Sequence, residues 1–350
     1  MAATSRSSRL PALSLTERIF AGGEARRLLG QVEAGLEQVE HTLAQELTMA
    51  DPLANASGRY LFEAGGKRIR PMLTLLIAHL GDGVNDAVIS GATALELTHL
   101  GSLYHDDVMD AADTRRGVAS AHEVWGNSIA ILTGDLLFSR ASQLMARLGE
   151  HAIQLQADTF ERLVLGQMHE TIGPGEDEDP VAFYLRVLSD KTGSLIAAAA
   201  QSGIVFSNAP AEYESAMMAF GERAGVAFQL LDDVIDLSAD PKVTGKVPGT
   251  DLRAGVPTMP YLLLGQSDDA RALALRQRID DGVAAIADGA ELSVLDDPLE
   301  QLRDHEATQR TLELAREWSQ SAVAACEPLP QGPVREALYR FAHAVADRAS

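Results

Sequence analysis

The stretch Leu95–Gly117 carries three carboxylates within five positions, inside an apolar run that contains no proline. Apolar residues recur there at three- and four-residue steps, which predicts a helix at least through Met109. On such a helix Asp106 and Asp110 share one face, and Asp107 lies three residues before Asp110. Like charges one turn apart repel by a few tenths of a kcal/mol, so this face calls for water or a cation.

The same pattern occurs again at Asp232, Asp233 and Asp236, within the apolar run FQLLDDVIDL. Two acidic helical faces that oppose each other across a bundle interior would bind several Mg²⁺ ions. Mg²⁺ suits them because it takes oxygen ligands and keeps waters and substrate phosphates. A solvated acidic face is the alternative for either motif alone. The second copy makes the metal site the preferred interpretation.

The composition favours a helical protein and argues against several classes of partner. Hydrophobic residues make up 46% of the chain but aromatic residues only 5%, which is typical of helices rather than sheets. A net charge of −21 argues against nucleic acid and anionic lipid as partners. No apolar run reaches the roughly 18 residues of a transmembrane segment. The single cysteine, Cys326, is expected to be a buried apolar residue in a reducing compartment, the cytoplasm.

The order of apolar runs and turn residues predicts one all-α domain over residues 14–350, after a disordered arm over residues 1–13. No strand is expected. In the second half, helices are expected over 181–207, 211–239, 256–266, 268–288, 292–324 and 332–348. Lys191, Thr192 and Gly193 fall in the middle of the 181–207 helix, where they are locally costly. They predict a kink with a polar function.

Lysine is rare, with only four among 29 basic residues, and three of the four lie in motif-like surroundings. Lys67 and Arg70 follow a Gly-Gly pair at a helix start, where flexible backbone and helix N-termini favour anions. Lys246 lies in a Gly- and Pro-rich loop, 240–251, placed to fold over the second Asp motif. A solvated basic cluster is the alternative for Lys67 and Arg70.

Six motifs together resemble the trans-isoprenyl diphosphate synthase (polyprenyl synthetase) family. They are GGKRIRP (65–71), ELTHLGSLYHDDVMDAADTRRG (96–117), GNSIAILTGD (126–135), KTGSLI (191–196), QLLDDVIDL (229–237) and GKVPGTDLRAGVPTMP (245–260). The resemblance covers about residues 65–260 and continues more weakly to the C-terminus. It implies a single large helical bundle of the isoprenoid synthase type, with a central substrate cavity, that acts as a homodimer.

The resemblance also implies the roles of individual residues. Asp106 and Asp110 would ligate two Mg²⁺ ions and Asp232 a third, about three per active site. Direct or water-mediated support would come from the remaining acids, Asp107, Asp233 and Asp236. The allylic diphosphate would be held by Arg115, Lys191 and Lys246. Isopentenyl diphosphate would be held by Lys67, Arg70, His99 and Arg116. The carbocation would be lined by oxygen atoms of Thr192 and Gln229.

The implied activity is Mg²⁺-dependent head-to-tail condensation of isopentenyl diphosphate with an allylic diphosphate. Two positions depart from the family pattern: Val256 stands where many relatives have a second lysine, and Glu170 where many long-chain members have glutamine. Neither removes a predicted metal ligand. Both are expected to alter substrate affinity.

Product length is expected to depend on the residues one turn before Asp106. Gly101 and Ser102 are small, where short-chain members place aromatic rings, and Phe138 on a facing helix is a candidate stop. We therefore predict a long-chain product of about C35–C50, with geranylgeranyl or farnesyl diphosphate synthase as the alternative. A class I terpene cyclase and a non-catalytic subunit of a heteromeric synthase are remoter alternatives. Both complete Asp motifs, and the second set of cations, speak against them.

Overall fold

The structure is a computed structural model that describes residues 19–20, 25–238 and 248–346. The predicted disordered arm (1–13), Lys246 and most of the 240–251 loop lie outside the described residues. Within these residues the chain is almost entirely helical, which confirms the predicted all-α fold class. None of the described helices is both long and apolar enough to cross a bilayer.

Sixteen α-helices are described. In chain order they are α1 (Ala25–Glu46), α2 (Pro52–Glu63), α3 (Ile69–Ala78), α4 (Asp86–Met109), α5 (Ala121–Trp125), α6 (Asn127–Leu148), α7 (Glu150–Ile172), α8 (Pro180–Leu188), α9 (Ser194–Phe206), α10 (Glu214–Ser238), α11 (Thr250–Arg253), α12 (Met259–Leu264), α13 (Ala270–Ala287), α14 (Asp296–Arg303), α15 (Glu306–Ala325) and α16 (Pro333–Ala346). A π-helical turn, Ser189–Gly193, joins α8 to α9, and short 3₁₀ turns cover Ala211–Tyr213 and Leu292–Leu295.

Helix α4 is the central element and carries the first Asp motif at its C-terminal end. It packs most extensively against α6 and also contacts α1, α3 and α9. Its residues are buried around most of its circumference, as expected of a helix inside a bundle. The second Asp motif ends α10, which packs against α9 and α15. A smaller apolar cluster, including Leu237, Leu252 and Leu299, lies beside the end of this motif.

One prediction that fails is the absence of strands. Thr114–Arg115 (β1) pairs antiparallel with Val118–Ala119 (β2), so a two-residue hairpin follows the first Asp motif. Its two central residues, Arg116 and Gly117, have φ values of 53° and 79°, which fit a tight hairpin turn. Two-residue strands are too short to show any alternation of polar and apolar residues.

Three predicted helices differ in extent from those observed. The 292–324 segment is divided into a 3₁₀ turn, α14 and α15, and the His305 ring caps α15 by accepting from the Ala307 amide. The 256–266 helix begins only at Met259. Val256 precedes a proline, which disfavours the helical conformation, and Thr258 is extended as the N-cap (φ −105°, ψ 163°). The 181–207 helix is interrupted at the predicted kink, where the backbone forms the π-helical turn.

Candidate active site

The carboxylates of the first Asp motif face different surroundings. Asp110 caps the C-terminus of α4 and is exposed, Asp106 is half-buried, and Asp107 is 0% exposed. Burial raises the pKa of Asp106 to about 6, while Lys191 opposes this effect and Asp110 reinforces it. Asp106 and Asp110 therefore offer carboxylate oxygens at the end of the helix.

Asp107 is turned towards the hairpin. Arg115 Nε donates to Asp107 Oδ1 at 2.6 Å. The other oxygen, Oδ2, is buried and has no hydrogen-bond partner in the described part of the chain. Asp107 and Arg115, predicted to serve metal and allylic diphosphate respectively, are thus bound to each other.

The hairpin directs its two neighbouring arginines to different places. Whereas Arg115 reaches Asp107, Arg116 donates to the carbonyls of Leu61 (2.9 Å) and Gly65. Arg116 thereby joins the basic residues that follow the Gly65-Gly66 pair. The sequence could not have indicated this division, since it depends on the left-handed conformation of Arg116.

A cluster of three buried or half-buried arginines, which we call the basic pocket, lies close to His99. It consists of Arg68, Arg70 and Arg116. The pKa of His99 is well below its usual range. Burial is the larger cause, and the positive charges of the arginines add to it. The imidazole is therefore neutral near pH 7 and can donate one hydrogen bond and accept another. Lys67, also predicted to bind isopentenyl diphosphate, is exposed and directly precedes Arg68 in the chain.

Two residues of this region were missed by the sequence analysis, Arg68 and Glu96. Arg68 Nη1 donates to Glu96 Oε1 at 3.1 Å, and Glu96 is 2% exposed. Glu96 stands alone between leucines in an otherwise apolar run. A carboxylate at such a position requires a partner, because ionised side chains are almost never fully buried unpaired. That signal was available in the sequence.

The π-helical turn brings Thr192 to Gln229 on α10. The Thr192 hydroxyl donates to the Gln229 side-chain oxygen at 3.3 Å. Glycines make this approach possible: a Cβ on Gly225 would lie 2.8 Å from Gly193 Cα. On the other side, a Cβ on Gly166 of α7 would lie 2.6 Å from the Lys191 nitrogen of the main chain. The turn is therefore fixed between two helices.

Lys191 itself forms an ion pair with Glu170 of α7. Both side chains are about one quarter exposed, 24% and 22%. Glu170 is one of the two positions that depart from the family pattern, and here it holds the ammonium predicted to bind the allylic diphosphate. The other departure, Val256, lies just before α12.

In the second Asp motif, Asp233 and Asp236 accept hydrogen bonds from neighbouring segments of the protein. Asp233 is buried, and both its oxygens accept from the Tyr184 hydroxyl while Oδ2 also accepts from the Met259 amide at 2.9 Å. Burial raises the pKa of Asp233 well above its usual range. Asp236 accepts from the amides of Thr250 and Asp251 at 3.2 and 3.3 Å. Asp232 remains half-buried.

The oxygen donors fit Mg²⁺, but in the described residues no group of three or more acidic, histidine or cysteine side chains forms a metal site by itself. The argument for Mg²⁺ is the chemical type of the predicted ligands. Asp106, Asp110 and Asp232 are all carboxylates, and all are at least partly accessible. Mg²⁺ retains several waters and completes its octahedron with substrate phosphates. A site with few protein ligands is therefore the kind that it occupies.

The residues predicted to control product length lie at the contact of α4 with α6. A Cβ on Gly101 would lie 3.1 Å from the Gly134 carbonyl oxygen and 3.2 Å from Phe138 Cε1. Phe138 therefore faces α4, and its ring packs on Phe160 with centroids 4.5 Å apart. Ser102 is 9% exposed and its hydroxyl donates to the His99 carbonyl. Phe160 was not anticipated from the sequence.

Two surface clefts lie far from these residues. They have volumes of about 310 and 380 Å³ and share Gln31 and His79 in their linings. The second reaches Val84, just before α4, whereas the Asp motif is at the opposite end of this helix of roughly 36 Å. They contain no residue predicted to take part in the chemistry.

Comparison with known sequences identifies a family profile and several relatives. The polyprenyl synthetase profile matches residues 51–292. Nonaprenyl diphosphate synthase of Mycobacterium tuberculosis is 41% identical over 308 residues, 88% of this chain and 90% of the relative. Octaprenyl diphosphate synthase of Haemophilus influenzae is 35% identical over 316 residues, 89% and 94% of the two chains. Heptaprenyl diphosphate synthase component 2 of Geobacillus stearothermophilus is 32% identical over 313 residues, 89% and 94%.

Solved structures share the fold over nearly the whole chain. A polyprenyl synthase of Caulobacter crescentus, complexed with calcium and isoprenyl diphosphate, has a TM-score of 0.82 at 30% identity and covers 93% of this chain and 98% of its own. A decaprenyl diphosphate synthase of Rhodobacter capsulatus has a TM-score of 0.82 at 28% identity, covering 93% and 99%. A geranylgeranyl pyrophosphate synthase of Corynebacterium glutamicum, also complexed with calcium and isoprenyl diphosphate, has a TM-score of 0.79 at 35% identity, covering 94% and 99%.

Proposed function

The chain belongs to the polyprenyl synthetase family, and on that premise we propose that it is a prenyltransferase that condenses isopentenyl diphosphate with an allylic diphosphate. The product is a long-chain all-trans polyprenyl diphosphate, about seven to ten isoprene units by its heptaprenyl, octaprenyl, nonaprenyl and decaprenyl relatives. Diphosphate is released with each unit added.

The observation that carries this proposal is the placing of two cation sets along α4. Among the charged groups, Arg70 and Arg116 of the basic pocket act most strongly on His99, whereas Lys191 acts most strongly on Asp106. Arg115 acts on both. His99 and Asp106 are seven residues apart, which is about 10 Å along a helix. Two diphosphates can therefore bind side by side, one at the carboxylates and one at the basic pocket. A single-substrate enzyme has no use for the second set.

The chemistry follows from the charges of these residues. Mg²⁺ held by Asp106, Asp110 and Asp232 would supply positive charge to the leaving diphosphate. Lys191 binds the same diphosphate, so the allylic C–O bond can ionise. The oxygens of Thr192 and Gln229 stabilise the resulting carbocation. The isopentenyl double bond attacks it, forming the new C–C bond, and the proton lost goes to the departing diphosphate.

We propose Mg²⁺ as the working ion and about three ions per site. The Caulobacter and Corynebacterium structures are complexed with calcium and isoprenyl diphosphate, which supports use of a divalent cation in the family. All-oxygen donors with room for water favour Mg²⁺ as the biological ion. We also propose the cytoplasm as its location, because the only cysteine, Cys326, is a buried free thiol.

An exposed apolar stripe on α7 supports a homodimer. Four apolar side chains at four-residue spacing are between 36% and 75% exposed there: Phe160, Val164, Met168 and Ile172. Contiguous exposed apolar surface usually marks a protein interface. We propose that a second copy covers it. The component 2 relative raises a different partner as the alternative, and light scattering of the purified chain alone decides between dimer and monomer.

The testing experiment is a one-tube reaction of the purified chain with isopentenyl diphosphate, farnesyl diphosphate and Mg²⁺, analysed by chromatography. We expect products longer than geranylgeranyl diphosphate. Products that stop at four units would indicate the shorter-chain alternative. A cyclised hydrocarbon formed without isopentenyl diphosphate would indicate a terpene cyclase. Activity only after addition of a second protein would indicate a subunit of a heteromeric synthase.

A further inference from the structure

We propose that Glu96 is a positioning residue for the isopentenyl diphosphate site, holding the arginines of the basic pocket in the arrangement that receives the diphosphate. The proposal rests on the proposed function, since it takes the basic pocket as the isopentenyl diphosphate site. Glu96 would act through Arg68, Arg70 and Arg116 and would not contact the substrate itself.

The geometry places Glu96 beneath the pocket. It lies on α4 three residues before His99, on the same face of the helix. Arg68 Nη1 donates to Glu96 Oε1 at 3.1 Å, while Arg68 Nε donates to Glu40 at 2.5 Å. Two carboxylates therefore hold Arg68, one at Nε and one at Nη1, so that the orientation of this guanidinium depends on Glu96 and Glu40.

The guanidinium groups of Arg68 and Arg116 come together beside Gly66. A Cβ on Gly66 would lie 2.4 Å from Arg68 Nη1 and 3.1 Å from Arg116 Cζ, so the glycine leaves space for two guanidinium groups. Arg70 and Arg116 are both close enough to Glu96 to lower its pKa electrostatically, against the larger effect of burial. Three guanidinium groups this close repel one another, and Glu96 is the fully buried carboxylate that offsets that repulsion.

The pocket is incomplete without an anion. Arg70 Nε and Glu96 Oε2 are both buried and have no hydrogen-bond partner among the described residues. Buried donors of this kind are usually satisfied, and a diphosphate oxygen would satisfy Arg70. Guanidinium groups bind diphosphate through planar, directional forks. Their orientation, which Glu96 constrains, therefore matters as much as their charge.

A purely structural ion pair is the rival explanation, and it predicts different kinetics. Losing a structural pair lowers the free energy of unfolding and the fraction of active enzyme, but it affects both substrates alike. Losing a positioning residue weakens isopentenyl diphosphate selectively. The opposite expectation also exists, because removing a negative charge makes the pocket more positive and could strengthen binding of an anion.

The test compares Glu96→Gln, which removes the charge at nearly constant shape, with Thr93→Val as the matched control. Thr93 lies on the same helix three residues earlier, is 0% exposed, and its hydroxyl donates to the Ile89 carbonyl at 2.8 Å. Isothermal titration with isopentenyl diphosphate in EDTA measures binding without turnover. We expect the dissociation constant of Glu96→Gln to rise about tenfold or more. Thr93→Val is expected to stay within about twofold of wild type.

Steady-state kinetics with Mg²⁺ provide the second measurement. The KM for isopentenyl diphosphate should rise in parallel, whereas the KM for farnesyl diphosphate and kcat at saturation stay within about twofold. Unchanged or tighter isopentenyl diphosphate binding would overturn the proposal, as would equal weakening of both substrates. If Glu96→Gln does not fold, Arg68→Lys, which keeps the charge but loses the two-carboxylate fork, decides by the same readouts. A wild type without condensation activity would instead contradict the proposed function.

Discussion

At the scale of single residues, Lys191 shows how one predicted ligand is already occupied. Its ammonium is paired with Glu170. On the proposed assignment, it exchanges this carboxylate for a diphosphate oxygen when the allylic substrate binds. Because the ion pair is partly exposed to solvent, its interaction free energy is small. We therefore propose that Glu170 competes with the allylic diphosphate for Lys191.

Replacing Glu170 with glutamine should strengthen binding of the allylic diphosphate. We expect its KM to fall about two- to fivefold, because a partly exposed ion pair is worth at most about 1 kcal/mol. Kinetics at saturating isopentenyl diphosphate measure this change. Glu161→Gln, an exposed position on the same helix, is the matched control and should have no effect. A higher KM in Glu170→Gln would show that Glu170 orients Lys191 and does not compete for it.

The residues that sequence reasoning could and could not place differ in a physical way. Asp106 and Asp232 are recognisable because the motif spacing puts them on a helical face. The partners of Asp233 are not recognisable, since Tyr184 and the Met259 amide meet it only through tertiary packing. The direction of Arg116 likewise depends on a backbone conformation that its residue type does not indicate.

At the scale of elements, the contact of α4 with α6 determines where chain length can be tested. A Cβ at Gly101 would already be in tight contact with the Gly134 carbonyl oxygen (3.1 Å) and with Phe138 (3.2 Å). A large residue there would separate the two helices. A Gly101→Phe variant would therefore change helix packing and product length together, and the two effects could not be told apart. Ser102, on the face that leads to Asp106, is the better position.

We predict that Ser102→Phe shortens the product to three or four isoprene units while condensation continues. The new ring would form a floor one turn before Asp106. The opposite change, Phe138→Ala, removes the candidate stop and should lengthen the product. Reverse-phase chromatography of the dephosphorylated products measures both variants. Products of unchanged length in both would mean that the chain grows along another path.

The position of the π-helical turn was predicted from the sequence as a kink, but its π-helical conformation was not. Lys191-Thr192-Gly193 indicated a kink, because glycine and threonine weaken a helix. That the kink is a π-helical turn held between Gly166 and Gly225 depends on packing between distant segments. The same limit applies to the break between α14 and α15, which no proline or glycine marks.

Gly225→Ala should therefore impair both stability and catalysis. Its methyl group would lie 2.8 Å from Gly193 Cα, and overpacking of this kind costs about 1–3 kcal/mol. Thermal unfolding and kcat measure the two effects, and kcat should fall as Thr192 and Gln229 separate. Gly30→Ala, an exposed position on α1 with no atom within 4 Å of the new methyl, is the control and should stabilise by up to about 1 kcal/mol. Equal behaviour of the two variants would contradict the close packing at the turn.

At the scale of the whole molecule, Cys326 reports on the integrity of the fold. It is 0% exposed, as predicted for a small apolar residue. Burial raises the pKa of its thiol to about 12 from an ordinary value of 9.0. The thiol thus stays protonated at pH 8, with about a thousandfold less of the reactive thiolate than an ordinary cysteine.

Alkylation by iodoacetamide at pH 8 should accordingly be slow in the native protein and fast in denaturant. Even at pH 9 the native thiol should react more slowly than the thiol of the denatured protein, because pH 7 and pH 9 both lie below the pKa of the native thiol. Mass spectrometry of the labelled chain measures the rate. Native labelling within a few-fold of the denatured rate would show that Cys326 is accessible and that the core around it opens readily.

The central claim is that two carboxylate faces on α4 and α10 act together on one diphosphate. Its most direct test is the kcat of Asp106→Asn and of Asp232→Asn with isopentenyl diphosphate, farnesyl diphosphate and Mg²⁺, alongside their melting temperatures in EDTA. We predict that kcat falls at least about a hundredfold in each variant, while the melting temperatures stay close to that of wild type. Values of kcat within a few-fold of wild type in both variants would contradict the claim.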